Sequence, residues 1–371
     1  MPDFFSDDLK SRVSVPILPD LQKLNFYFSK SLEQKWLSNH GPCYQELKGK
    51  LADYLDAPNI ELFSSGTLAL LCGLKSLGLS GEVITTPFTF PATVNAIRWA
   101  GLKPVFADIV EDTLTISPDS VESLISEETC AILGVDVYGN SCRYEELSEI
   151  AKVNGLKLAY DSAHSFSPNM FCNMDDLASS FHMISFHATK LYHTCEGGAL
   201  VFKDKKLKSD LRRIQNFGFF AEDSFDMPGI NAKMSEMHAA MGLAVLDEVA
   251  AEQSYRGELS SLYREFFGNE EKITVHPIPE MNASYTYLTL LFNSSDGNER
   301  RDRSYVDLKK NGYGARKYFN PLCSDVQCYA DARHGRLKVA RWVVERVLCL
   351  PMHRFISPED ARNISRIVLS S

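Results

Sequence analysis

Between residues 60 and 205 the chain repeats one pattern, a short run rich in apolar and β-branched residues followed by a stretch with helical spacing. The runs are Val83-Ile84-Thr85, Pro104-Val105-Phe106-Ala107, Ala131-Ile132-Leu133-Gly134-Val135, Leu156-Lys157-Leu158-Ala159-Tyr160, Met183-Ile184-Ser185-Phe186 and Ala199-Leu200-Val201-Phe202. Helix-compatible stretches lie among them at Thr67 to Leu77, Ala92 to Ala100 and Tyr144 to Asn154. Runs that are continuously apolar, rather than alternating, belong to strands covered on both faces. With helices between them they predict an α/β fold with a mainly parallel sheet. Ligands of such sheets bind beyond the carboxyl ends of the strands.

From Asn231 the texture changes. Met234, Met237, His238, Met241 and Val245 fall at helical spacing, in a pattern that runs to about Ala251 and suits core or subunit packing. Beyond it lie strand candidates at Tyr285 to Phe292 and Val347 to Leu350, with helical segments around Tyr305 to Lys310 and Leu337 to Val347. The expected division is an N-terminal segment over 1–30, a large domain over 31–250 and a small α/β domain over 251–371. At 371 residues the chain is long enough for two such cores.

Composition excludes several classes. A net charge of −9 argues against a nucleic-acid binder. No run approaches the roughly 18–20 apolar residues of a membrane span. The acidic start, Met1 to Asp8, lacks a signal-peptide layout, and nine scattered cysteines without CxxC spacing fit reduced thiols rather than zinc. The expectation is a cytoplasmic protein with no membrane, nucleic-acid or metal partner.

Two residues carry the chemistry. Lys190 closes Ser185-Phe186-His187-Ala188-Thr189-Lys190 after an apolar run and precedes the turn Glu196-Gly197-Gly198. A neutral lysine amine at a strand end can form a Schiff base. Asp161 ends another apolar run, in Leu158-Ala159-Tyr160-Asp161-Ser162-Ala163-His164. A lysine for the imine and an aspartate for a pyridinium nitrogen are what pyridoxal 5'-phosphate (PLP) requires.

Other segments admit two readings each. Ser64-Ser65-Gly66-Thr67 precedes a helix and suits either a phosphate at its N-terminus or a helix cap. Phe90, in Pro87-Phe88-Thr89-Phe90-Pro91-Ala92-Thr93, can stack on a planar ring or fill the core. His164 lies three residues beyond Asp161 and is either a site residue or a structural one. His187 is near Lys190 in sequence, which alone assigns it no role.

These motifs, with Asn216-Phe217-Gly218 and Gly229-Ile230-Asn231-Ala232-Lys233-Met234, occur in one order. Together they resemble the DegT/DnrJ/EryC1/StrS family of nucleotide-sugar aminotransferases, PLP enzymes of fold type I. The resemblance runs from about residue 35 almost to the end. It implies a seven-stranded, mainly parallel sheet in the large domain. Lys190 would carry the cofactor and Asp161 would pair with its ring nitrogen. Phe90 would stack on the ring, His164 would contact the cofactor, and Gly66, Thr67 and Ser185 would hold the phosphate. Asn231 would reach the phosphate across the interface of a homodimer with shared active sites.

The chain also departs from the family pattern. Lys233 stands where Arg is usual, His238 where Gln is frequent, and Ser141-Cys142-Arg143 replaces Pro-Ala-Asp in a loop that could shape the substrate pocket. Ala315 to Asp325 resembles the segment of members that aminate a 4-keto-6-deoxy sugar on dTDP, although Asn320 stands where a tyrosine is expected. Arg316, Lys317 and Tyr318 are the candidate substrate contacts, though a solvated basic turn is the commoner reading of the two cations. The implied reaction moves an amino group from L-glutamate to dTDP-4-keto-6-deoxy-D-glucose, giving dTDP-4-amino-4,6-dideoxy-D-glucose for a surface polysaccharide such as O-antigen. A 3-keto isomer and a UDP-linked 4-keto sugar are the alternatives. Lys190 itself argues against a dehydratase of the same family, and no basic surface supports a PLP-binding regulator.

Overall fold

The computed structural model describes residues 8–172, 179–276 and 284–371. The helices α1 (Leu21–Glu33) and α2 (Pro42–Leu55) come first. Strands and helices then alternate: β1 (Ile60–Phe63), α3 (Gly66–Ser76), β2 (Glu82–Thr85), α4 (Pro91–Trp99), β3 (Lys103–Phe106), α5 (Pro118–Leu124), β4 (Thr129–Val135), α6 (Tyr144–Val153) and β5 (Lys157–Asp161). β6 (Phe181–Ser185), β7 (Gly198–Val201) and α7 (Lys205–Ile214) complete this part. Each of the six strands expected between residues 60 and 205 is present within two residues of its expected limits. Their side chains are buried on both faces, with β1, β2 and β7 covered along their whole length, which is why they read as unbroken apolar runs.

After a short hairpin of β8 (Phe219–Ala221) and β9 (Ser224–Phe225), the chain forms α8 (Glu236–Leu246) and α9 (Val249–Phe267). It then forms β10 (Ile273–His276), β11 (Leu288–Phe292), α10 (Gly297–Lys310), β12 (Arg333–His334), α11 (Lys338–Val344), β13 (Val347–Leu350) and α12 (Pro358–Ser370). The methionine pattern expected to run to about Ala251 is broken after Leu246, where α8 ends and α9 starts. Met234 is buried, and α8 packs on α1 and α2.

Among the described residues, one sheet of eight strands runs in the order β1-β7-β6-β5-β4-β2-β3-β12. All neighbours are parallel except β7, which runs antiparallel to both β1 and β6. Seven of the strands are those of the large domain, as expected. The eighth, β12, comes from the C-terminal part and adds to the edge at β3. A second, antiparallel sheet has the order β10-β11-β13 and packs with α9, α10 and α12 through Leu259, Tyr263, Leu290, Leu348 and Ile364.

The expected breaks at residues 30 and 250 both fall inside helices, α1 and α9. The N-terminal residues are tied to both halves. Lys10 O accepts from Gly314 N at 2.8 Å, Val13 O from Met352 N at 3.2 Å, and Ile17 O lies 2.7 Å from His193 Nε2. A mixed core of Phe88, Phe106, Tyr138, Tyr287, Phe319 and Val347 joins the two sheets. Among the described residues, no helix is long and apolar enough to cross a membrane.

Candidate active site

A cavity of about 310 Å3 opens at the carboxyl ends of β4, β5 and β6, against the amino ends of α3 and α4. It brings together Gly66, Thr67, Phe90, Asp161, His164, Ser185, Lys190, Arg316 and Tyr318, nine of the residues singled out in the sequence.

Asp161 is the last residue of β5 and only 5% exposed. Its Oδ2 accepts from Thr93 Oγ1 at 2.7 Å, and its Oδ1 accepts from the Ala163 N–H at 3.1 Å. Burial raises its pKa, opposed by those two hydrogen bonds and by the charge of Lys190. A buried carboxylate held by two neutral donors is still short of a cation, which a protonated ring nitrogen supplies.

Lys190 lies in the turn after β6, its N–H donating to His187 O at 2.9 Å, and its ammonium stands 5.7 Å from the ring centre of Tyr287. Burial pulls its pKa down to about 8, with Asp161 acting in the opposite direction. The sign matters: a lowered lysine pKa enriches the neutral, nucleophilic amine as pH climbs through 8. Capture of PLP by cofactor-free protein is therefore expected to speed up about tenfold between pH 7 and 9 and then level off. Stopped-flow absorbance would show this, and a rate still climbing at pH 10 would contradict it.

The start of α3 can hold an anion. Ser65 caps the helix, its Oγ accepting from Leu68 N at 3.2 Å, while Gly66 and Thr67 at the helix entrance face the cavity. The cap reading of this segment thus falls to Ser65, and Gly66 and Thr67 are left facing the cavity. The backbone here is packed very closely, since a Cβ on Gly198 would lie 2.6 Å from Gly66 Cα. A Cβ on Gly66 would in turn crowd Ser185 Oγ at 3.3 Å. Backbone N–H groups and the positive end of a helix dipole are exposed at this point beside a serine hydroxyl, as a phosphate requires.

Phe90 occupies the N-cap position of α4, ahead of Pro91, and is 57% exposed on the cavity wall. That exposure removes the core reading. His164 is buried, with Nδ1 accepting from the Tyr138 N–H at 3.1 Å. A backbone N–H can only donate, so the proton of the neutral ring sits on Nε2. Burial holds the His164 pKa well below the ordinary histidine value, and the charge of Lys190 adds to the effect.

At the mouth, the Arg316 guanidinium lies 4.9 Å from the ring centre of Tyr318. Lys317 is not brought to the cavity. Its ammonium sits 2.5 Å from Asp302, a carboxylate it shares with Arg301, and 4.7 Å from the Tyr305 ring centre. Asn231 is exposed, bridged to Asn216, and outside the cavity of its own chain. Lys233 donates to Asn216 Oδ1 at 2.7 Å, and His238 Nδ1 lies 3.0 Å from Ser235 Oγ. Ser141, Cys142 and Arg143 do not line the cavity either. Cys142 N donates to Asp136 Oδ1 at 3.0 Å, and Arg143 pairs with Asp112 at 3.0 Å.

The cavity also holds residues that sequence reading passed over, namely Thr89, Asp136, Glu196, Tyr287 and Phe319, with Thr93 bonded to Asp161. Thr89 and Thr93 stood in the segment from which only Phe90 was chosen. Tyr287 stood within a strand candidate.

The residue set has known counterparts. The model of the DegT/DnrJ/EryC1/StrS aminotransferase family matches residues 21–369. The chain belongs to this family. The dTDP-4-amino-4,6-dideoxy-D-glucose transaminase of Escherichia coli is 39% identical over 364 residues, covering 96% of this chain and 97% of the relative. The enzyme of the same name from Shigella dysenteriae is 37% identical over 354 residues, covering 94% and 95%. Among solved structures, DesI in the presence of its TDP-sugar product aligns with a TM-score of 0.89 at 31% identity, covering 97% of this chain and 92% of DesI. Helicobacter pylori PseC, an aminotransferase of pseudaminic acid biosynthesis, aligns with a TM-score of 0.87 at 26% identity, covering 97% and 98%.

As a member of the DegT/DnrJ/EryC1/StrS family, the protein is a PLP-dependent aminotransferase of the α/β fold expected from the sequence. The donor set fits the cofactor at each functional group. There is an amine for the aldehyde, a buried carboxylate for the ring nitrogen and an exposed aromatic ring for its face. A glycine-led helix start completes the set at the phosphate.

Proposed function

We propose that this enzyme transfers the amino group of L-glutamate to dTDP-4-keto-6-deoxy-D-glucose. The products are dTDP-4-amino-4,6-dideoxy-D-glucose, which serves surface polysaccharide such as O-antigen, and 2-oxoglutarate. The observation that carries the aminotransfer is the meeting of Lys190 and Asp161 on one cavity. The sugar rests on the near full-length likeness to the two dTDP-4-amino-4,6-dideoxy-D-glucose transaminases.

Bound PLP supplies the carbonyl that accepts the amino group and the ring that takes up electron density. The protein's residues do the rest. Lys190 anchors the cofactor and, once released from it, takes a proton at Nζ and returns it to a neighbouring atom. A pKa of about 8 places that amine near the pH at which it can do both. Asp161 holds positive charge at the ring nitrogen, and Phe90 covers the ring face. Gly66, Thr67 and Ser185 bind the phosphate, and His164 presents an Nε2–H donor. Arg316 at the mouth attracts the diphosphate, while Lys317 is turned to Asp302, outside the cavity lining.

The active unit is a homodimer in this reading. Asn231 is supplied to the partner's phosphate, consistent with its exposed position outside its own cavity. Exposed Phe26, Trp36, Phe220 and Phe225 are apolar surface suited to such an interface. Mixing Lys190→Ala and Asn231→Ala subunits, each nearly inactive alone, is expected to restore about a quarter of wild-type activity. Half the dimers are then mixed, and each has one intact site. No recovery after subunit exchange would refute shared sites.

Parallel assays with dTDP-4-keto-6-deoxyglucose, its 3-keto isomer and a UDP-linked 4-keto sugar test the substrate. The first should give the highest kcat/KM, and preference for either of the others would replace this assignment.

A further inference from the structure

One hydrogen-bonded chain at the site is not explained by holding the cofactor directly. Thr89 (2% exposed) and Thr93 (fully buried) come one helical turn apart at the entrance to α4. Thr89 Oγ1 lies 2.8 Å from Thr93 Oγ1, which lies 2.7 Å from Asp161 Oδ2. Each threonine hydroxyl has a single proton. With Asp161 ionised, Thr93 gives its proton to the carboxylate and Thr89 gives its own to Thr93, so both short contacts are satisfied. With Oδ2 protonated the chain would have to run the other way, from Oδ2 to Thr93 and from Thr93 to Thr89, and the carboxyl would lose the hydroxyl that donates to it. A hydroxyl aimed at the carboxylate as a donor favours its charged form.

We propose that Thr93, backed by Thr89, is a positioning residue that keeps Asp161 ionised and fixes the orientation of its carboxylate. This rests on the role assigned above to Asp161 and adds the reason that a carboxyl so deeply buried can serve as an anion. The other charged groups facing it are Lys190, from the turn after β6, and Asp136, at the end of β4. They act in opposite directions, the ammonium favouring the anion and the second carboxylate opposing it. The same short segment, Thr89 to Thr93, therefore delivers Phe90 to the face of the ring and a hydroxyl pair to the counter-ion of its nitrogen. That explains why a segment of this composition occupies the cavity wall.

Full-length Thr93→Val, which is nearly isosteric, and Thr93→Ser, which keeps the hydroxyl, separate this role from packing. In cofactor-free protein the carboxyl titration assigned to Asp161 by its absence in Asp161→Asn can be followed by infrared difference spectroscopy. Removing a donor to the charged form raises a carboxyl pKa. The step is expected to move up by about one pH unit in Thr93→Val and to stay in place in Thr93→Ser. In loaded enzyme, single-turnover amino transfer from glutamate should fall about 10- to 100-fold in Thr93→Val, the scale of a hydrogen bond to a charged group. It should recover in Thr93→Ser. The same change made in Asp161→Asn should cost little further, because the two residues act as one unit. An unmoved titration in Thr93→Val, or an undiminished loss in the Asp161→Asn background, overturns the proposal. Neither measurement involves the sugar, so an incorrect sugar assignment would leave it standing.

Discussion

Lys190→Ala is expected to lose turnover by at least about 10^4-fold, the full reach of a positioned proton-transfer group, while the protein stays folded. The side chain ends in a turn against the cavity, and its backbone N–H still bonds to His187 O after truncation. Removing the amine relieves the burial of an ammonium, which offsets the lost attraction for Asp161, so the fold should be kept. Borohydride reduction of the wild-type enzyme with PLP should fix the cofactor to the peptide containing Lys190, as read by mass spectrometry. The variant should show no adduct at any lysine. Retained transamination, or an adduct elsewhere, would refute the assignment.

Asp161→Asn should leave PLP bound but slow loss of the donor's α-proton by about 10^2- to 10^3-fold, the range seen when one preorganised electrostatic contact is removed. The amide keeps the shape of the carboxylate, its single oxygen can still accept from the Ala163 N–H, and its NH2 group can donate to Thr93 Oγ1. It loses the charge that favours a protonated ring nitrogen. Single-turnover kinetics with deuterated glutamate would locate the effect. A near wild-type rate would show that the buried carboxylate is not the counter-charge of the ring. A protein that no longer binds PLP would show that Asp161 acts mainly as an anchor.

Much of the site was legible because its residues lie at ends of elements that the sequence marks. Asp161 and Ser185 close apolar runs, Lys190 follows one, and Gly66 opens a helix behind a serine cap. Strand ends of a parallel sheet converge, so residues from separate motifs met in one cavity. Other features depend on contacts between distant segments, which local pattern does not encode. Nothing in the sequence around Lys317 shows that the fold sets Asp302 beside it. Tyr287 lies over Lys190 because the second sheet packs against the first. β12, two residues long, has no pattern of its own and is a strand only because β3 offers an open edge. The reversal of β7 was equally hidden, since a strand buried on both faces reads the same in either direction.

The most direct test is the product itself. Purified protein, PLP, L-glutamate and dTDP-4-keto-6-deoxyglucose would be incubated together, and the sugar nucleotide would be identified by mass and proton NMR. The account predicts an amine at C4 with large, diaxial couplings on both sides of H4, as the glucose configuration requires, and one 2-oxoglutarate per amine formed. An amine at C3, small H4 couplings, or no product from PLP-loaded enzyme would contradict it.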